Sequence, residues 1–328
     1  MARETGIKWC RSTFNSWIGC TEVSDGCTNC YARELDKRHR YGDAVHWGAG
    51  VPRYRTSENL RRQPLRWNED AAWERENGRL KNPSYKWHRP GFWPVFCASL
   101  ADVFDNEVPE EWRADLWLLI DKTPNLTWLL LTKRIGNAQS MLPRLANLPD
   151  RPIAPWLNVW LGASVVNQEE ADRDIPKLLA TPAVKRFVSY EPALGPVDFS
   201  RYMWPVHWSW DAKYKTPEEA RAAGAYAEQK RQALLGAHVR LLDWIIVGGE
   251  SSQGSAKARP FDLAWARSTV AQCKAAGVAC FVKQLGSAPY EIVHDGIGSH
   301  VEDYRCKDRA GADPAEWQDD IRVQEFPA

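Results

Sequence analysis

Long hydrophobic runs are missing from this sequence. Its apolar stretches, such as 128–131 and 244–247, fall far short of the roughly 20 residues that a bilayer-spanning helix needs, so no helical membrane span is expected. The start, Met1-Ala2-Arg3-Glu4-Thr5, lacks the basic patch and apolar segment of a secretory signal, and the cytoplasm is the expected compartment. Charge of one sign is not in excess either: a net charge of +1 points to no particular partner. The 7 histidines are dispersed with no Ser/His/Asp arrangement, and no Gly-x4-Gly-Lys-Ser/Thr loop occurs, which leaves hydrolytic and nucleotide-triphosphatase readings poor. No internal repeat is found, which excludes a solenoid or repeat array.

What is present is an ordinary globular composition, 44% hydrophobic and 26% charged over 328 residues, long enough to bury a full core without disulfides. The 18 tryptophans mostly flank apolar runs, as Trp112, Trp117, Trp156 and Trp160 do, and core packing explains those. Charge is unevenly spread. Residues 31–90 carry 14 Lys and Arg against 8 Asp and Glu, whereas 285–328 carry 4 against 10. The basic stretch also holds Trp47, Tyr54, Trp67, Trp73, Tyr85 and Trp87. Cations interleaved with aromatics can contact phosphates and stack on bases; the other reading is a solvated insertion docked to the body by its tryptophans.

Short β-rich runs recur at 93–98, 127–131, 158–163, 186–189, 244–247 and 279–282, with 7–10 read as an edge or first strand. Their near-continuous apolar character is that of buried parallel strands. Helical spacing lies between them at 110–122, 137–148, 167–179, 216–235 and 262–276. Thr216-Pro217-Glu218-Glu219 marks a helix start and Ala276-Gly277 a stop. Alternating strands and helices imply right-handed βαβ units, and the expected fold is α/β, a partial (β/α) barrel of about six to seven parallel strands. A doubly wound open sheet is the alternative. The whole chain, 1–328, reads as one barrel domain with insertions at 41–89 and 200–235 and an acidic C-terminal extension at 286–328, in which 296–298 form a turn.

The sharpest feature is a set of three thiols, Cys20, Cys27 and Cys30, within eleven residues. Gly19 and Gly26 each precede a cysteine and let the backbone bend tightly. After Cys30 the sequence turns helical. In a chain expected in the cytoplasm such spacing favours a metal or cluster over disulfides. Structural zinc wants four ligands, with Cys10 or His39 available as the fourth; three thiolates on an iron–sulfur cube would leave one iron open. A redox dithiol of Cys27 and Cys30 would leave Cys20 unexplained. Cys97, Cys273, Cys280 and Cys306 are scattered and read as buried thiols.

The loop resembles the cluster loop of the radical S-adenosylmethionine superfamily, although its first gap has six residues rather than three and Tyr31 follows the last cysteine instead of preceding it. With Leu130-Leu131-Thr132-Lys133-Arg134, Ser189-Tyr190-Glu191-Pro192, Ile246-Val247-Gly248-Gly249-Glu250-Ser251 and Phe281-Val282-Lys283-Gln284, the chain is similar to a phage-borne family carrying this three-cysteine motif. The resemblance implies a [4Fe-4S] cluster on Cys20, Cys27 and Cys30, with S-adenosylmethionine chelated to the fourth iron. It also implies a reducing electron donor such as flavodoxin or ferredoxin. Some members of that family are associated with hypermodified phage DNA, in which a thymine carrying an amino-acid adduct is rearranged.

In parallel barrels reactive groups gather at the C-terminal ends of strands, and each strand run here ends in polar residues. Lys133 is expected to pair with the cofactor carboxylate, and Ser99 and Ser164 to hydrogen-bond its ribose or amino group, with Tyr31 beside them. Glu191 takes the ribose hydroxyls or a substrate amine. Gly248-Gly249-Glu250 resembles the superfamily's Gly-Gly-Glu cofactor motif but ends a late strand, so Gly249 and Glu250 are assigned to substrate first. Asp102, Arg134, Lys283 and Gln284 join the substrate group, and Glu191, Glu250 and Lys283 are the catalytic candidates. Lys283 has a second reading, neutralising Glu191 or Glu250, and each strand-end residue has one as an ordinary cap or ion pair. The expected activity is that of an isomerase or mutase acting on a modified base in DNA, with a lyase as a variant. A zinc-stabilised nucleic-acid-binding module is the alternative from another class.

Overall fold

The computed structural model describes residues 2–38, 41, 44–84, 87–143, 156–203, 241–295 and 298–327. The expected helix at 216–235, most of the insertion at 200–235, residues 144–148, His39, Tyr85 and two residues of the 296–298 turn lie outside the described residues. The chain divides into two compact units, Met1–Ser164 with Thr181–Lys185 and Ser252–Lys257, and Val165–Ala180 with Arg186–Ser251 and Ala258–Ala328.

The first unit opens with β1 (Ser12–Phe14) and β2 (Trp17–Ile18), followed by α1 (Tyr31–Lys37), β3 (Tyr54–Arg55), α2 (Glu58–Arg61) and α3 (Gln63–Asn77). β4 (Pro94–Cys97), α4 (Glu110–Asp121), β5 (Thr127–Thr132), α5 (Ile135–Met141) and β6 (Val159–Ser164) complete it. The first strand is 12–14 and not 7–10. Ser12-Thr13 reads as polar and loop-like, yet the strand is wholly buried because the Ser12 hydroxyl donates to the Arg3 carbonyl and accepts from Trp93 Nε1 at 2.8 Å. Buried polar groups persist when partnered in this way.

The second unit carries α6 (Gln168–Ala180), β7 (Lys185–Tyr190), α7 (Ser200–Met203), β8 (Trp244–Gly248), β9 (Phe261–Asp262), α8 (Leu263–Ala276), β10 (Ala279–Gln284), β11 (Pro289–His294) and β12 (Ser299–Asp303). α8 starts where the Asp262 carboxylate accepts from Ala264 N–H and stops at Gly277, which is left-handed at φ +67, as an N-cap and a glycine C-cap require.

The strand order is β1-β4-β5-β6-β7-β8-β10 in one seven-stranded sheet. Sheet order follows chain order without reversal, and the pairings within each unit are parallel. That is the winding of a half-barrel; a doubly wound sheet would reverse its order at a switch point. Apolar strand residues fill the cores: Val95, Trp128, Leu129 and Leu130 in the first unit, Phe187, Val188, Ile245, Ile246 and Phe281 in the second. Each contributes on the order of 2 kcal/mol by leaving water.

The two charged extensions are built into the units. Residues 41–89 contain a fifteen-residue helix, α3, whose Trp67 is buried, and cations of this segment are engaged internally. Arg55 and Arg61 reach Asp115, Lys81 reaches Asp70, and Arg53 is fully buried against Asp105. The acidic extension folds as the β11–β12 hairpin beside β9 and returns to the β10 edge, where Val282 N–H donates to Val323 O at 2.8 Å and Glu325 N–H to Cys280 O at 2.8 Å. An otherwise open sheet edge is thereby covered. Among the described residues no helix is long and apolar enough to cross a membrane.

Candidate functional site

The thiol loop is laid across the C-terminal ends of β1, β4 and β5. Gly19 stands at φ +109, and a Cβ there would meet the His46 carbonyl oxygen at 2.3 Å, so only glycine fits. Its N–H donates to Leu100 O at 3.1 Å, and Gly48 N–H donates to Cys20 O at 2.9 Å. Ser24 accepts from Gly26 N–H at 3.1 Å and so caps the short turn Asp25–Cys27. Cys27 N–H then donates to Ser24 O at 2.9 Å and Cys30 N–H to Cys27 O at 3.2 Å. Cys30 immediately precedes α1, so Cys27 and Cys30 do lie on a loop entering a helix.

The wall behind this loop comes from the insertion. Arg53 donates to Thr21 Oγ1 at 2.7 Å, to Asp105 Oδ2 at 2.9 Å and to the carbonyls of Gly48 and Val51 at 3.0 and 2.9 Å. Asp36, fully buried, accepts from the His46 backbone N–H and faces His46 Nδ1 at 2.8 Å. Asn29 Nδ2 donates to Lys257 O at 3.1 Å. Sequence reasoning missed Arg53, Asp36 and His46. Their roles depend on partners up to 52 positions away, and no local motif announces them.

The strand-end residues of this unit come together in groups. The Tyr31 hydroxyl donates to the Ser99 carbonyl, and Ser99 Oγ accepts from Asn15 Nδ2 at 3.0 Å. Ala98, just before Ser99, is held at φ +63, a strained backbone for a residue with a Cβ. Lys133 Nζ donates to Ser164 Oγ. Asp102 accepts from Thr132 Oγ1 at 2.7 Å and from Lys133 N–H at 3.0 Å, so it fixes the turn that carries Lys133. Arg134, expected among the substrate residues, donates from Nη1 to Cys20 Sγ at 3.3 Å and from Nη2 to Thr21 O at 2.7 Å.

None of the eight cysteines is in a disulfide. Burial, helped by the Asp102 charge, pushes the Cys20 thiol up to about 12 against the opposing pull of Arg134. Burial also raises Cys30, with Lys133 among the groups that oppose it. Soft thiolates suit zinc or an iron–sulfur cluster. Among the described residues no three His, Cys, Asp or Glu side chains are grouped to hold a metal ion. Cys10, considered as a fourth ligand, donates to Ile7 O at 3.8 Å.

In the second unit three of the predicted residues, Glu191, Lys283 and Glu250, take part in two ion pairs. Lys283 Nζ lies 2.9 Å from Glu191 Oε1, the neutralising arrangement read as its alternative, and Ser189 Oγ donates to Glu191 Oε2 at 3.1 Å. Glu250 is gripped by Arg259, whose Nη2 donates to Oε1 at 2.6 Å and Nε to Oε2 at 3.0 Å. Arg259 was not foreseen; it follows Glu250 by nine residues with no spacing signal. Gln284 Nε2 donates to Gly249 O at 2.9 Å and Ser251 Oγ at 2.8 Å. Packing explains the paired glycines: a Cβ on Gly248 would meet Glu191 Oε1 at 2.9 Å and one on Gly249 would meet Leu285 O at 2.2 Å.

Fold and loop together define a half-barrel α/β protein with a three-thiol loop at its strand ends. The family described as a protein of unknown function (DUF5131) matches residues 4–311, and the chain belongs to that family. No curated protein and no solved structure matches it.

Proposed function

We propose that this protein is a radical S-adenosylmethionine enzyme that acts on a modified base in nucleic acid, isomerising an aminoacyl (glycinyl-type) adduct on thymine in phage DNA. The observation that carries the reading is the seating of three thiols outside any disulfide, on a loop held at the C-terminal ends of β1, β4 and β5. Cys20, Cys27 and Cys30 would hold a [4Fe-4S] cluster. A cluster held there would pass one electron from an external low-potential donor to the sulfonium of S-adenosylmethionine, and reductive cleavage of its carbon–sulfur bond would supply a 5′-deoxyadenosyl radical and methionine.

The chain's own residues bind and orient. Lys133, steadied on Ser164 and by the Asp102 contact to its backbone, offers an ammonium for the cofactor carboxylate, and its charge is felt at Cys30. Tyr31 and Ser99 offer a hydroxyl pair for its ribose or amino group. Glu191 and Lys283, at 2.9 Å, are a carboxylate and an ammonium that can exchange their mutual contact for an amino acid's amine and carboxylate. Glu250, oriented by Arg259, and Gln284 complete the substrate group. A reducing cytoplasm and a flavodoxin- or ferredoxin-type donor suit this chemistry.

The test is anaerobic reconstitution with iron and sulfide, followed by assay of 5′-deoxyadenosine with duplex DNA, single strands and nucleoside carrying the adduct. A broad band near ~400 nm and cofactor cleavage on DNA are expected. Stoichiometric zinc with salt-sensitive DNA binding and no turnover would select the zinc module instead. Turnover on nucleoside alone would remove DNA as the substrate.

A further inference from the structure

Arg134 has a position that substrate binding does not explain. It follows β5 by two residues, its side chain is 10% exposed, and both ends of its guanidinium are engaged on the thiol loop. Nη1 donates to Cys20 Sγ at 3.3 Å and Nη2 to Thr21 O at 2.7 Å. Its own N–H donates to Thr132 Oγ1 at 2.8 Å. Two carboxylates stand behind it, Asp102 at 3.6 Å and Asp105 at 3.9 Å, themselves fixed by Thr132 at 2.7 Å and Arg53 at 2.9 Å. The guanidinium is therefore held in one orientation. The other two thiols are met differently: Cys27 Sγ lies 3.9 Å from the Ser24 hydroxyl, and Cys30 is met by the backbone N–H groups of Arg33 and Ala32.

We propose that Arg134 is a positioning residue that raises the reduction potential of the cluster through Cys20, by donating a charge-assisted hydrogen bond to one of its three thiolate sulfurs. This rests on the cluster reading above. The step concerned is the gain of one electron from a low-potential reductant; no bond forms or breaks and no proton moves. The added negative charge spreads over the irons and their thiolates. A fixed cation hydrogen-bonded to one sulfur in a largely desolvated setting stabilises the reduced state more than the oxidised state. Asp102 and Asp105 act in the opposite sense and hold the cation where it works.

The experiment compares wild-type protein, Arg134→Gln and Arg134→Lys after anaerobic reconstitution. Iron and sulfide content, thermal melting and an electron paramagnetic resonance titration with dithionite are measured on each. Arg134→Gln is expected to retain its cluster and become about tenfold harder to reduce. At the wild-type midpoint its reduced fraction falls from one half to about one tenth, which for one electron is about 59 mV. Arg134→Lys keeps the charge without the planar fork and should fall between. An unchanged potential in a fully loaded Arg134→Gln protein overturns the proposal. So does loss of iron from both variants, folded or not, because Arg134 then only ties the loop through Thr21. Wild-type protein that takes up no iron and sulfide defeats the enzyme reading instead, and that outcome is seen before any potential is recorded.

Discussion

The two compact units treat their strand-end charges differently. In the second, each acid has a basic partner: Glu191 meets Lys283 and Glu250 meets Arg259. In the first, Arg134 and Arg53 also stand beside acids, Asp102 and Asp105, but these cations and Lys133 donate as well to groups that are not acids. Arg134 donates to a sulfur and a carbonyl, Lys133 to a hydroxyl, and Arg53 to three backbone carbonyls as well as Asp105. A group already neutralised can release its partner to a charged ligand, whereas a cation committed to a loop shapes what that loop can hold. On the proposed function, the first unit would hold the cluster and the second would recognise charged groups of the substrate.

Substitution in the two units should therefore separate cluster from turnover. Cys20→Ala, Cys27→Ala or Cys30→Ala should abolish iron and sulfide uptake and all 5′-deoxyadenosine. Glu250→Gln or Lys283→Met should leave metal content intact and lower product formation by about a hundredfold. Metal loss in the second pair of variants would break the comparison.

The ion pairs differ in burial, and stability should register it. Arg11 and Glu74 are fully enclosed and doubly bonded at 2.7 and 2.9 Å. Glu74→Gln should cost about 3–5 kcal/mol in urea unfolding, since it leaves Arg11 buried without its counter-charge. Glu250→Gln, whose partner Arg259 is 28% exposed, should cost about 1 kcal/mol. Burial alone would raise the Glu74 carboxyl, but hydrogen bonds from Arg11, Lys81 N–H and Gly91 N–H hold it below its ordinary value. The unfolded chain thus binds the proton more readily. The stability this group adds is present above an unfolded value of about 4.3 and is lost as pH falls through the lower folded value. Wild-type urea midpoints should drop over that acid range, and Glu74→Gln should flatten the drop.

Smaller effects come from the backbone. Gly19→Ala and Gly249→Ala should each destabilise by about 2–3 kcal/mol, but only Gly19→Ala should also impair cluster assembly. Ala98→Gly, which relieves a residue at φ +63, should add about 1 kcal/mol of thermal stability.

Much of the half-barrel was legible in the sequence because buried parallel strands are written as apolar runs. Thr127–Thr132, Val159–Ser164 and Ala279–Gln284 lie within two residues of their expected bounds. The first strand was not, since its Ser12 and Thr13 are polar residues satisfied by distant partners. α3 was missed for a related reason: its buried face includes Asp70 and Glu74 beside Trp67 and Ala71, so hydrophobic periodicity is blurred. The three-thiol loop stands out in the sequence because Cys20, Cys27 and Cys30 are close together. Arg53, Asp36 with His46, and Arg259 act through ion pairs and hydrogen bonds that only the folded chain assembles, and Arg134 gave no sign that its partner would be a sulfur.

The central claim is that the first unit's thiol loop carries an iron–sulfur cube. Iron, sulfide and zinc content of protein purified and reconstituted without oxygen tests it most directly. The account predicts about four irons and four sulfides per chain, lost together when Cys20 is replaced by alanine. One zinc per chain with no sulfide, unaffected by added iron, would contradict it.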